Sequence, residues 1–183
     1  MARYVAFLRG INLGKRRPPM SQLKSLFEEL GFEDVATFIA SGNVIFSSRP
    51  RDRRKLESQI EKHLEHALGY EVETFVRTAE EVVAVSRVRR FAGADKPGTT
   101  VHVLFFRDEI APAVARKFEA IKTPHDEFRV QGRDGFWKCT IKVHESKVWY
   151  LPELKKLPLP RSTMRNVTSI AKLVAKHLSS VTS

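Results

Sequence analysis

The order of strand and helix patterns in the first 78 residues is the feature that most constrains the fold. Residues 3–8 alternate as in a strand, and residues 20–30 place apolar side chains at spacings of three and four, as in a helix. The segments "VATFIA" and "VIFSS" flank "SGN", which predicts a hairpin. A second helix pattern runs from Asp52 to about Gly69, before the alternating stretch "YEVETFVR". The predicted order is therefore βαββαβ.

This order is typical of a ferredoxin-like fold, in which two crossover units form a four-stranded antiparallel sheet with both helices on one face. The second half of the chain repeats part of the pattern less cleanly. Its signals are, in chain order, a strand "VHVLFF", a helix "APAVARKFEAIK", a hairpin from "EFRVQ" and "GFWKCTIKV", and a last helix over residues 167–178. We therefore predict an α+β protein with two tandem ferredoxin-like (alpha-beta plait) subdomains, residues 1–78 and residues 79–183.

Charge is the strongest signal in the composition. The formal net charge is +11, and residues 79–183 hold 19 basic and 11 acidic side chains against 13 and 10 in residues 1–78. A field of this sign attracts nucleic acid and other polyanions, although solvated basic faces are common and no aromatic-interleaved pattern accompanies the cations. The predicted nucleic-acid surface comprises Lys15, Arg16, Arg17, Lys155, Lys156 and Arg161.

Several classes of protein are excluded by simple counts. The longest uncharged run has 14 residues and contains Ser, Gly and Asn, so it is too short and too polar to span a bilayer. The N-terminal "MARYVAFLRG" lacks the features of a signal peptide. The single cysteine, Cys139, excludes an internal disulfide and a cysteine-cluster metal site. We expect a soluble cytoplasmic protein with no metal, no cofactor and no membrane partner.

The first loop, residues 9–15 with the sequence "RGINLGK", resembles a phosphate-binding loop only superficially. A nucleotide phosphate loop has four residues between its glycines and Ser or Thr after its Lys. Here three residues separate Gly10 from Gly14, and Arg16 follows Lys15. This spacing disfavours nucleotide hydrolysis.

Three stretches carry a resemblance to a known family. The opening "YVAFLRGINLG", the following "PMSQLKSLFEELGFEDVATFIASGNVIF" and the C-terminal "STMRNVTSIAKL" resemble the domain-of-unknown-function 1697 family (DUF1697) over essentially the whole chain. The resemblance implies two ferredoxin-like subdomains in tandem and no particular activity. The chain departs from the family pattern at Val167, where members commonly have Trp, and at "KVHESK", where a glycine-containing stretch is expected. The polar positions that match the family motif are Arg9, Gly10, Asn12, Ser41, Gly42, Asn43, Arg165 and Asn166.

Polar residues at turns form a second candidate site. Its members are Arg9, Asn12, Ser41, Asn43, Arg165 and Asn166. Short polar side chains at such positions bond to nearby backbone groups, and Asn166 suits the N-cap of the last helix. The alternative is a polar pocket in which Arg9 and Arg165 bind an anionic ligand. The sequence does not decide whether these residues converge in space.

Three functions are compatible with these patterns. The leading hypothesis is non-enzymatic binding of an anionic ligand, nucleic acid above all, through the basic surface. The alternative is a small-molecule enzyme or binder with a pocket from Arg9, Asn12, Ser41, Asn43 and Arg165. A third is an interaction scaffold that pairs through its sheet edges. Stacking of RNA bases on the first sheet is disfavoured, because its third strand offers only Phe46. The sequence decides neither whether the protein is an enzyme nor its oligomeric state.

Overall fold

The computed structural model describes residues 1–39, 42–88 and 91–181, which form two compact units. Unit 1 comprises Met1–Ala84 and Leu173–Ser183, and unit 2 comprises Val85–Lys172. The subdomain boundary after residue 78 stays a prediction.

Unit 1 has the predicted order of strands and helices. Its elements are β1 (Ala2–Arg9), α1 (Met20–Glu29), β2 (Glu33–Phe38), β3 (Asn43–Ser48), α2 (Arg53–Leu68) and β4 (Glu73–Thr78), followed by α3 (Ala79–Ser86), whose last two residues belong to unit 2. The four strands form one sheet in the order β2-β3-β1-β4, and every neighbouring pair is antiparallel. This is the strand order of the ferredoxin-like fold.

The core of unit 1 lies between one face of this sheet and both long helices. Tyr4, Ala6 and Leu8 of β1 share a hydrophobic cluster with Phe27 of α1 and Ile60 of α2. These three residues alternate along the strand and so point to the same face. Both helices therefore cover one face of the sheet, as predicted.

The outer edge of β4 is covered by carboxylates. This strand lies at the end of the sheet, and three of its backbone N–H groups donate to glutamate side chains at 2.8 to 2.9 Å. The pairs are Thr74 with Glu61, Val76 with Glu57, and Thr78 with Glu81. These donors are no longer available to pair with another strand.

Unit 2 has the same strand order as unit 1. The connection between its third and fourth strands contains short helices instead of one long helix. The elements of unit 2 are β5 (Thr100–Phe106), α4 (Pro112–Ala120), β6 (Asp126–Gln131), β7 (Asp134–Cys139), α5 (Pro152–Lys155), β8 (Ser162–Asn166) and the first part of α6 (Val167–His177), whose residues from Leu173 onward belong to unit 1. Short 3-10 helices span Val143–Glu145, Val148–Tyr150 and Ser179–Val181, the last of these in unit 1. The strand order is β6-β7-β5-β8, and neighbouring strands are again antiparallel.

The structure corrects one prediction for unit 2 and adds one strand to it. The strand predicted over "GFWKCTIKV" ends at Cys139, because the opposite residues Thr100 and Asp126 are the first residues of their own strands. The strand β8 was not predicted. Its five residues lack an apolar alternation, and only Thr163 is buried.

The core of unit 2 is aromatic and contains one buried carboxylate. The rings of Phe118 and Phe128 lie 4.4 Å apart between centroids, and Trp137 is fully buried. Asp126 Oδ1 accepts hydrogen bonds from Trp137 Nε1 and Ser146 Oγ, both at 2.8 Å, and Oδ2 accepts one from Thr123 Oγ1 at 2.6 Å. This carboxylate therefore ties β6 and β7 to the loop that leads to α5.

Candidate functional site

The structure brings the first loop and the β2–β3 hairpin to the same end of the unit 1 sheet. Phe7 lies opposite Asn43 in the β1–β3 register, and the Leu8 N–H donates to the Gly42 carbonyl at 2.8 Å. A Cβ atom on Gly42 would lie 2.8 Å from Ile11 Cγ2, and the φ of this glycine is +75°. Glycine is therefore needed here both for its positive φ and for the close approach of the loop.

Two of the predicted polar residues, Asn43 and Arg9, are already engaged within the fold. Asn43 is buried, and its Nδ2 donates to the Phe38 carbonyl at 3.0 Å, which closes the hairpin. Arg9 Nη1 lies 3.1 Å from Glu73 Oε2, so its charge is partly balanced. Asn12 is exposed, and Ser41 lies outside the described residues.

The first loop packs as a turn against the segment that precedes β4. Tyr70 Oη donates to the Ile11 carbonyl at 3.1 Å, and the Arg16 guanidinium lies 4.5 Å from the Tyr70 ring centroid. The helix α1 begins at Met20, well beyond Gly14. The loop glycines therefore do not lie at a helix N-terminus, in agreement with the spacing argument against a phosphate loop.

The remaining two polar candidates belong to unit 2. Asn166 Oδ1 accepts a hydrogen bond from the Thr168 N–H at 2.8 Å, which is the predicted capping interaction at the start of α6. Arg165 Nη1 donates to Thr163 Oγ1 at 2.8 Å and to the Met164 carbonyl at 2.9 Å. Burial lowers the pKa of Arg165 to about 10, so the side chain stays cationic at neutral pH.

An exposed basic segment lies between β7 and β8 of unit 2. We define it as residues 142–161, and its exposed cations are Lys142, Lys147, Lys155, Lys156 and Arg161. Among the residues that the structure describes, Lys155 and Lys156 form no ion pair. Two of the three predicted cations of unit 2 are thus available to an external anion.

One aromatic side chain lies among these cations. Tyr150 is 68% exposed, and Lys155 Nζ lies 5.5 Å from its ring centroid. The sequence analysis predicted no aromatic-interleaved pattern among the cations, and this single exposed ring is a contact that it did not identify. The apolar run "VWYL" is typical of a buried segment, but the 3-10 turn buries Val148 and turns Tyr150 outward.

The basic segment is anchored to the core of unit 2. Ser146 donates to the buried Asp126, and Val148 and Leu154 are 1% and 5% exposed. These anchors alternate with the exposed side chains. The segment therefore presents Tyr150 and Lys155 from a fixed backbone rather than from a free loop.

Other chemistries find little support in the described residues. In residues 1–39, 42–88 and 91–181, no three His, Cys, Asp or Glu side chains form a group that could hold a metal ion. Within the same ranges, none of the helices has the length and apolar character needed to span a membrane. Cys139 is buried and donates to the Ile141 carbonyl, and burial raises the pKa of its thiol. A thiol in this environment is a poor nucleophile.

Comparisons with known proteins agree with the fold. The family model described as "Protein of unknown function (DUF1697)" matches residues 1–136, so the C-terminal stretch "STMRNVTSIAKL" lies outside the match. A solved structure, described as that of the conserved bacterial protein SP0830 from Streptococcus pneumoniae, is similar with a TM-score of 0.73 and 23% identity. The similarity covers 96% of this chain and 99% of that chain, and at this identity it shows the fold alone. No curated protein matches the chain.

Proposed function

The chain belongs to the DUF1697 family of proteins of unknown function, and we propose from its surface that it binds polyanions, single-stranded nucleic acid above all. The binding is non-enzymatic and uses the basic segment of unit 2. The observation that carries the proposal is the exposed ring of Tyr150 beside Lys155, with Lys156 next in the chain.

This pairing of an aromatic ring with cations matches what single strands require. Proteins that bind single strands without sequence preference stack bases on aromatic side chains and track the backbone with Lys and Arg. Tyr150 supplies a ring that is 68% exposed, and Lys155 and Lys156 supply charges that no carboxylate neutralises among the described residues. Duplexes do not offer unstacked bases, so we expect single strands to bind more tightly.

The sheet of unit 1 does not support this function. In modules that bind RNA on a sheet, exposed aromatic residues of the central strands stack on the bases. Phe46 of β3 is fully buried and packs within the core of unit 1. The basic segment of unit 2 is therefore the better supported surface.

The polar-pocket alternative is less well supported. Arg9 is paired with Glu73, and the Asn43 amide closes its own hairpin. These two residues belong to unit 1, whereas Arg165 belongs to unit 2. No single unit therefore supplies the five residues of that pocket.

Charge reversal tests the proposal. We expect Lys155→Glu combined with Lys156→Glu to lower the affinity for a labelled single-stranded oligonucleotide by more than about tenfold at low salt, because repulsion replaces phosphate contacts. Fluorescence anisotropy of the labelled oligonucleotide measures this change.

The matched control makes the same change in net charge elsewhere. Lys62 and Lys172 are exposed and form no ion pair among the described residues, so Lys62→Glu with Lys172→Glu is suitable. We expect this control to weaken binding by less than about threefold through the long-range field alone. Equal losses in both double variants, or no binding by the native protein at low salt, would contradict the proposal.

A further inference from the structure

We propose that unit 2 holds a second binding site, an apolar cavity that takes a small carboxylic acid with an apolar tail. The cavity lies between the end of α4 and the segment around α5, and its volume is about 680 Å³. This volume falls within the range of known ligand pockets. Tyr150, Lys155 and Lys156 do not line it, so this inference does not rest on the proposed function.

The apolar wall of the cavity is half-buried and packs against the core of unit 2, whereas the rim, which includes Lys117, Ala120 and Glu153, is exposed to solvent. Ile121, Leu151 and Leu157 line the cavity and also pack against the buried cluster around Phe118 and Trp137. Ala120 and Pro124 complete the apolar lining. Because these residues are held by the core, the cavity exists before any ligand enters it. Its lining suits a hydrocarbon body.

The charged residues of the lining favour an anionic head group. Lys117 and Lys122 both line the cavity. Lys117 forms no ion pair among the described residues, whereas Lys122 Nζ lies 3.9 Å from Glu127 Oε1 and is partly balanced. Glu153 is the one carboxylate in the lining. Two cations and one carboxylate around an apolar wall are complementary to an apolar acid, with Lys117 as the principal contact of its carboxylate.

A comparison of three eight-carbon compounds tests the chemistry of the ligand. Isothermal titration calorimetry of the full chain measures the affinities of octanoate, 1-octanol and octylamine. These compounds share one apolar tail and differ only in the head group. We expect octanoate to bind most tightly and octylamine least. Hexanoate should bind about fifteenfold more weakly than octanoate, because each buried methylene contributes about fourfold in affinity. Undetectable octanoate binding, or octylamine binding that equals it, would overturn the proposal.

Two variants of α4 locate the ligand in this cavity. We expect Ala120→Phe to abolish octanoate binding, because the ring occupies the cavity. Ala113→Phe is the matched control, since Ala113 is exposed on the same helix and does not line the cavity. Circular dichroism reports whether each variant is folded. Octanoate binding that survives in folded Ala120→Phe would place the ligand elsewhere and overturn the proposal.

Charge variants at the cavity keep the test decisive if Ala120→Phe does not fold. We expect Lys117→Ala to weaken octanoate binding about fivefold and to leave 1-octanol binding unchanged, whereas Arg116→Ala, one residue away and outside the lining, has no effect. Glu153→Gln should strengthen octanoate binding, because it removes a like charge. The opposite sign for Glu153→Gln, or equal effects of Lys117→Ala on octanoate and 1-octanol, would overturn the proposal.

Discussion

Replacement of Asp126 by alanine is expected to lower the free energy of unfolding of unit 2 by about 3–5 kcal/mol. The side chain is 5% exposed and accepts hydrogen bonds from Trp137, Ser146 and Thr123. Alanine would leave the buried donors of Trp137 and Ser146 without an acceptor, and an unsatisfied buried donor costs about 1–3 kcal/mol. Both tryptophans of the chain, Trp137 and Trp149, belong to unit 2, so urea unfolding followed by tryptophan fluorescence reports this loss.

Two further variants separate the hydrogen bonds of Asp126 from its charge. Asp126→Asn keeps one acceptor oxygen and the side-chain volume, and its amide can donate to Thr123 Oγ1, so we expect a loss of only about 1–2 kcal/mol. Asp95 is exposed, and its side chain forms no hydrogen bond or ion pair among the described residues, so Asp95→Ala is the control and should change stability by less than about 0.5 kcal/mol. Similar stability of Asp126→Ala and Asp95→Ala would contradict the role assigned to the buried carboxylate.

Replacement of Glu57 by alanine is expected to destabilise unit 1 by about 2–4 kcal/mol. Glu57 is fully buried on α2, accepts the Val76 N–H at 2.9 Å and lies 3.1 Å from Arg53 Nη1. Its removal leaves the N–H of an edge strand unpaired beneath the helix. Amide hydrogen exchange measured by NMR should show accelerated exchange at Val76 together with a lower global stability.

The same helix offers a conservative variant and a control for Glu57. Glu57→Gln retains an oxygen that can accept the Val76 N–H, so we expect Val76 to keep most of its protection from exchange. Glu65 is exposed on α2, and Glu65→Ala should leave the exchange rate at Val76 unchanged. If Glu57→Ala left Val76 as protected as in the native protein, the carboxylate would not be the cap of this edge.

The fold of unit 1 could be predicted because local patterns and global topology agree. The apolar stripe of Leu23 and Phe27 on α1 and the alternation of Tyr4, Ala6 and Leu8 on β1 face one core. The strand β8 could not be predicted, because its local sequence pattern does not indicate the strand that the topology requires. Ser162, Met164 and Asn166 are not buried, so this edge strand lacks the apolar period that identifies a strand in sequence.

The candidate sites were less predictable than the fold, because they depend on contacts between distant residues. The proximity of Arg9 and Asn43 was left open, although the ferredoxin-like order already places the end of β1 beside the start of β3. The outward turn of Tyr150 depends on which neighbours the core buries, and the cluster around Asp126 joins residues 123 to 146 without a spacing rule. Neither the exposure of Tyr150 nor the cluster around Asp126 corresponds to a local sequence pattern from which it could be predicted.

The most direct measurement of the proposed function is single-stranded oligonucleotide binding by Tyr150→Ala and Tyr150→Phe at one fixed salt concentration. Stacking of a base on an aromatic side chain contributes about 1–3 kcal/mol, so we expect Tyr150→Ala to bind about tenfold more weakly than the native protein. Tyr150→Phe retains the ring and should bind as the native protein does. Native affinity in Tyr150→Ala would show that the exposed ring beside Lys155 is not a nucleic-acid contact.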